Sequence, residues 1–127
     1  MIDHISLSVA DLQRSRDFYV AALKPLGYEV IYDIKDVEGW GMNIKGCSIG
    51  ENKQTRLWLD GDSTPAKAHI AFGAINHQQV DDFYKAGLAA GGKDNGAPGI
   101  REQYSPTYYA AFVYDPDGNN IEIVCRA

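Results

Sequence analysis

Hydrophobic and polar positions alternate strictly at the start of the chain. Ile5, Leu7 and Val9 fall on one side and His4, Ser6 and Ser8 on the other, the period of a half-buried strand. Asp11 then has the side chain to cap a helix. Leu12, Ser15, Phe18, Tyr19, Ala22, Leu23 and Leu26 recur at helical spacing, which predicts a helix from Leu12 to Leu26 with one core-facing stripe. Pro25 and Gly27 end it. Three strands are predicted next, Tyr28 to Asp33, Trp40 to Lys45 and Thr55 to Asp60, with turns at Gly46 and from Gly50 to Gln54. The charges at Asp33, Lys35, Asp36 and Glu38 read as a solvated loop.

After a polar linker from Gly61 to Pro65 the pattern begins again. His69 to Phe72 repeats the opening strand, and Asn76 with Gln79 forms a capping box where Asp11 stood. Asp82-Phe83-Tyr84 repeats Asp17-Phe18-Tyr19, and Gly92 repeats Gly27, each 65 positions on, like His69 after His4. Gln78, Ala86 and Leu88 match Gln13, Ala21 and Leu23 at the same offset. A gap-free run of matches at one offset marks an internal duplication. Three strands follow the second helix: a weak one around Gly99 to Tyr104, then Tyr108 to Tyr114, then Asn120 to Arg126.

The chain therefore reads as α+β: two tandem βαβββ modules, residues 1–62 and 66–127, in a single domain. A strand and helix followed by a meander makes a sheet with its helix on one face. Two such curved mixed sheets, side by side, enclose a cleft on the faces away from the helices. The alternation puts the isoleucines toward the helices and His4, His69 and Glu122 toward the cleft. Ser6, Ser8, Ala71 and Gly73 leave room there for a ligand. Before Glu122, the run Asp115-Pro116-Asp117-Gly118 is a tight turn, Pro116 presetting φ and Gly118 supplying φ > 0. Ile121 and Ile123 face a core, so Glu122 faces either solvent or the cleft.

With 45% hydrophobic and 23% charged residues, the chain falls in the soluble globular class. A net charge of −5 argues against nucleic acid or an anionic membrane as partner. No apolar run reaches the roughly 18 residues of a membrane span. The strand pattern beginning at Ile2 predicts no signal peptide, hence a cytoplasmic protein. Cys47 and Cys125 have no metal-type spacing. Free thiols are expected, a single long-range disulfide being the alternative.

The paired modules, a histidine opening each, the helical Asp-Phe-Tyr triplet and the turn before Glu122 together resemble the vicinal oxygen chelate superfamily. That group contains the glyoxalase I, bleomycin resistance and extradiol dioxygenase families, and the resemblance spans essentially the whole chain. It implies metal ligands on the first and last strands of the modules: His4, His69 and Glu122, with Glu122 also catalytic. The fourth position is Trp58, an indole that cannot hold an ion. Two histidines and a carboxylate suit Fe(II) or Mn(II), and in glyoxalase-type relatives Ni(II) or Zn(II), with open positions for substrate.

The resemblance implies a divalent-metal-dependent lyase or isomerase acting on a small molecule with adjacent oxygens. Its alternatives are a metal-free drug-binding or resistance protein and an extradiol-type dioxygenase. The superfamily's thiol transferases carry basic residues past the last strand, where this chain offers only Arg126. Candidate substrate contacts are Arg56 for an anionic group, Trp58 as a stacking wall or a core aromatic, Tyr108 as a proton donor, Phe112, and Ser6. Trp40 would add to an aromatic ligand site. His77 sits at the start of the second helix, away from the expected cleft. Open sheet edges, and the superfamily's habit, predict a homodimer.

Overall fold

The computed structural model describes residues 1–39, 42–61 and 63–127. The side chains of 37–39 and 42–44 lie outside that description, and so does Trp40. In chain order the elements are β1 (Ile5–Ser8), α1 (Leu12–Leu23), a 3₁₀ turn (Lys24–Leu26), β2 (Glu29–Gly39), β3 (Met42–Glu51) and β4 (Gln54–Asp60). The second module supplies β5 (His69–Gly73), α2 (His77–Ala89), β6 (Lys93–Ile100), β7 (Tyr109–Tyr114) and β8 (Asn120–Cys125). The strands form two four-stranded sheets, ordered β1-β4-β3-β2 and β5-β8-β7-β6. In each, the first strand pairs in parallel with the last, and the remaining pairs are antiparallel. The two tandem βαβββ modules are thus present.

The duplication holds in the parallel strand pairing and at the helix caps. Ser6 pairs with Trp58 in the first sheet as Ala71 pairs with Glu122 in the second. Trp58 and Glu122 are therefore structural equivalents. Asp11 caps α1 by accepting from Arg14 N at 3.1 Å, and Asn76 caps α2 by accepting from Gln79 N at 2.8 Å. The Gln79 amide oxygen reaches one residue beyond the capping-box partner, to Ile75 N. Helix α1 packs against α2, and the buried apolar side chains of both modules make one cluster. Among the described residues, no helix is long and apolar enough to cross a membrane. Cys47 and Cys125 are both free and buried, and burial pushes the Cys47 thiol up to about 11.

Three predicted boundaries are corrected. First, β2 does not stop at Asp33 but runs through the charged segment to Gly39, because β3 pairs along its length (Lys35 with Gly46, Asp36 with Lys45). Exposed charges suit a strand with no core behind them, and Arg16 on α1 clamps Asp33 with two hydrogen bonds of 2.7 and 2.9 Å. Second, Gly46 is not a turn. It lies inside β3, where a Cβ would come within 3.0 Å of the Trp58 indole and 2.9 Å of Leu59 O; close approach explains the glycine. Third, β6 spans Lys93–Ile100 rather than Gly99 to Tyr104. Its composition resembles a loop, yet it is the outer strand of its sheet, where Pro98 is tolerated, and it breaks register at Gly96.

Gly92 is held by space. A Cβ there would lie 2.5 Å from Val113 Cγ1, 2.7 Å from Phe18 Cε2 and 2.8 Å from Gly87 O. Gly92→Ala is expected to destabilise the fold by about 2 kcal/mol through overpacking. An unchanged urea midpoint would show that the inter-module core has slack at this point.

Candidate functional site

The face of the second sheet turned away from α2 carries a cavity of about 580 Å³. It is lined by His69, Gln103, Tyr104, Tyr108, Phe112, Asn120, Glu122 and Arg126. Period-2 alternation on β8 places Asn120 and Glu122 on this face while Ile121 and Ile123 are fully buried on the other. Glu122 is only 3% exposed. Its alternative as a solvent-facing carboxylate is ruled out.

Two groups hold the Glu122 carboxyl. The buried Tyr108 hydroxyl donates to Oε1, and His69 Nε2 lies 3.1 Å from Oε2. Burial, and then the hydrogen bond to Glu122, push the Tyr108 phenol up to about 12. It therefore stays protonated, as a donor, at any physiological pH. On its other side, His69 Nδ1 is 2.9 Å from the backbone oxygen of Asn120. A carbonyl only accepts, so Nδ1 carries the imidazole proton. That leaves Nε2 facing a carboxyl oxygen, a contact that needs either a second proton or a cation. The ring also stacks on Phe112, centroids 6.5 Å apart.

The other residues singled out in the sequence are placed differently. His4 is half exposed and bonds Asp3 at 2.7 Å; it lines a second cavity, of about 420 Å³, that His69 also lines. Among the described residues, no three histidine, cysteine or acidic side chains come together as a metal-binding group. Arg56 faces that second cavity with its guanidinium on Asp3 O (3.1 Å) and Gln54 Oε1 (3.0 Å), and Glu51 3.7 Å away. Trp58 packs near Tyr32, centroids 6.4 Å apart, while Ser6 is exposed beside it. Neither lines the Glu122 cavity. His77 stacks flat on Tyr109, centroids 3.8 Å apart.

Gln103, Tyr104, Asn120 and Arg126 also line the cavity. Gln103 and Tyr104, in a stretch whose pattern predicts a strand, belong to the loop between β6 and β7, with Tyr104 against Tyr108 at 5.0 Å. Asn120 acts through its backbone oxygen, for which side-chain identity gives no signal. A larger cavity, of about 680 Å³, lies by the Asp115–Gly118 turn. It contains no histidine, and its Asp115 is saturated by bonds from Tyr19, Asp117 N, Asn119 N and Asn119 Nδ2.

Paired βαβββ modules with a histidine and a carboxyl group on the open face of one sheet define a class of small α+β proteins with a polar, ligand-sized site. Residues 1–123 match the family model of the Glyoxalase/Bleomycin resistance protein/Dioxygenase superfamily, and the chain belongs to that family. Similar solved structures include a glyoxalase/bleomycin resistance protein from Albidiferax ferrireducens (28% identity, 98% of each chain, TM-score 0.72). A glyoxalase I mutant from Zea mays is 26% identical over 97% of this chain and 46% of the maize chain, with a TM-score of 0.68. A hypothetical protein from S. aureus shares the fold at 24% identity, over 96% of this chain and 94% of that one (TM-score 0.64). No functionally curated protein matches the chain.

Proposed function

We propose that this chain is a divalent-metal-dependent enzyme of lyase or isomerase type, acting on a small substrate with two adjacent oxygens. The observation that carries this reading is the aim of His69: Nδ1 is committed to Asn120 O, and Nε2 points at Glu122 at 3.1 Å. An imidazole nitrogen and a carboxyl oxygen converging on one point fit the donor set of Fe(II), Mn(II), Ni(II) or Zn(II). A backbone carbonyl behind the histidine is the usual support for a metal-ligating ring. His4, on the cavity wall it shares with His69, is the third ligand in this reading.

A bound divalent ion supplies Lewis-acid polarisation of adjacent substrate oxygens. The protein's own groups do the rest. Glu122 is placed to take a proton from the carbon that bears one of those oxygens as a hydroxyl and return it to the adjacent carbonyl carbon, the hydroxyl proton passing to the other oxygen, an isomerisation. Tyr108, held protonated, fixes the carboxyl group so that one oxygen faces the cavity. Tyr104 and Phe112 limit water at the apolar side of the substrate.

Equilibrium dialysis of the purified, chelator-treated protein against Mn(II), Ni(II) and Zn(II), and anaerobically against Fe(II), tests the reading. One ion per chain at micromolar affinity is expected, and no uptake of any of the four would sink it in favour of a metal-free binding protein. The homodimer belongs to the same proposal: the open faces of both sheets are available for pairing, and sedimentation at micromolar concentration is expected to give twice the 14.0 kDa chain mass. A monomer there would remove this part alone.

A further inference from the structure

Three arginines stand near the open faces, and their surroundings differ. Arg56 is occupied by Asp3, Gln54 and Glu51. Arg101 donates to Gly99 O at 2.9 Å and Ala97 O at 2.7 Å, and lies over the Phe112 ring. Arg126 lines the Glu122 cavity, and among the described residues its guanidinium meets a ring, 4.8 Å from the centre of Tyr108. Among the described residues no carboxylate or carbonyl accepts from it. A guanidinium carries five donors, so this one is left with its full set directed at the cavity and solvent.

From this we infer that Arg126, and not Arg56, is the anchor for an anionic group of the substrate, and that the substrate is a flat acid about one ring long. Tyr108 sets the length. The Arg126 guanidinium lies over the face of its ring, 4.8 Å from the ring centre, and the hydroxyl at the edge of the same ring bonds Glu122. The anion anchor and the reacting carboxyl are thus held about one aromatic ring apart. Tyr104, Tyr108 and Phe112 give the space between them aromatic walls. A compound that places a carboxylate at one end of a planar, ring-sized body and two adjacent oxygens at the other meets all three features. The inference rests on the proposed function for the oxygen end; the carboxylate end stands on Arg126 alone.

A pair of probes separates the two ends. Catechol and 3,4-dihydroxybenzoate share the ring and the adjacent oxygens and differ in the carboxylate. Calorimetric titration of the wild type, with Mn(II) and again in EDTA, is expected to show 3,4-dihydroxybenzoate binding about tenfold or more tightly, the scale of a charge-assisted hydrogen bond. Arg126→Gln should bring the two probes to equal affinity and leave catechol binding unchanged, while Arg126→Lys should keep part of the preference. Arg56→Gln should keep all of it. If the ion site is absent, Mn(II) has no effect on either probe, yet the preference for the acid remains; that outcome removes the metal reading and supports this one. Equal affinities in the wild type, no binding of the acid, or a preference that survives Arg126→Gln would each overturn the assignment.

Discussion

Glu122→Gln is expected to lower divalent-ion affinity by more than about a hundredfold, the upper end of what is lost when only a supporting group around a metal is removed. The variant loses the carboxyl charge and keeps the shape. Its amide oxygen still accepts from Tyr108, so the hydrogen bond that orients the group survives and the fold should be unaffected. His69→Ala should do as much damage to ion binding by removing the other converging donor, and His4→Ala should weaken it in turn. Ion content is measured after dialysis, with thermal unfolding as the check on folding. Wild-type ion content in Glu122→Gln and His69→Ala would dispose of the site, whatever the activity.

The second large effect is expected far from the cavity. Asp115, 4% exposed, accepts from the Tyr19 hydroxyl at 2.5 Å, from Asp117 N at 2.9 Å, and from Asn119 N and Nδ2 at 2.8 Å each. One carboxyl group thus ties helix α1 of the first module to the turn that launches β8 in the second. The same turn is fixed again where Asp117 accepts from Ala10 N, and Asn119 from Ala68 N. Asp115→Ala leaves these donors buried without an acceptor, at about 1–3 kcal/mol for each one not reached by water. A total loss of about 4 kcal/mol is expected in urea denaturation, a large share of a small domain's stability. Tyr19→Phe, which removes one donor along with its need for an acceptor, should cost no more than about 2 kcal/mol. A loss under about 1 kcal/mol for Asp115→Ala would mean that water or a neighbour replaces the carboxyl group.

Much of the fold was legible because the duplication doubled the signals of the opening strand and helix of each module. Opening strand, cap and helix stripe each appeared twice at one spacing, so each supported its counterpart. What stayed hidden was set by pairing rather than by composition. Residues 93–100 carry two glycines, a proline and little apolar surface, and become a strand only because β7 offers them a ladder. Gly46 looks like a turn until the Trp58 indole is seen across the sheet.

Of the candidate site, Glu122, His69, Tyr108 and Phe112 do meet on one face, since alternation along a strand fixes which side each takes. The sequence could not show which arginine is free. Arg56 and Arg126 are alike in the chain, and only the carboxylates around the first distinguish them. Nor could it show that the repeated tyrosines diverge: Tyr19 is buried against the other module, whereas the Tyr84 hydroxyl bonds Asp94 at the surface.

The register that makes Trp58 the counterpart of Glu122 has a consequence for counting. A chain built by doubling could be expected to carry two equivalent centres and to show two binding events, coupled or not. Here an indole stands at the register position that carries the carboxyl group in the second sheet, so a chain offers one such carboxyl group, and the proposed centre draws on both modules, His4 from the first and His69 and Glu122 from the second. Titrations should therefore saturate at one equivalent per chain, and a homodimer at two, with any cooperativity arising between chains and none within one.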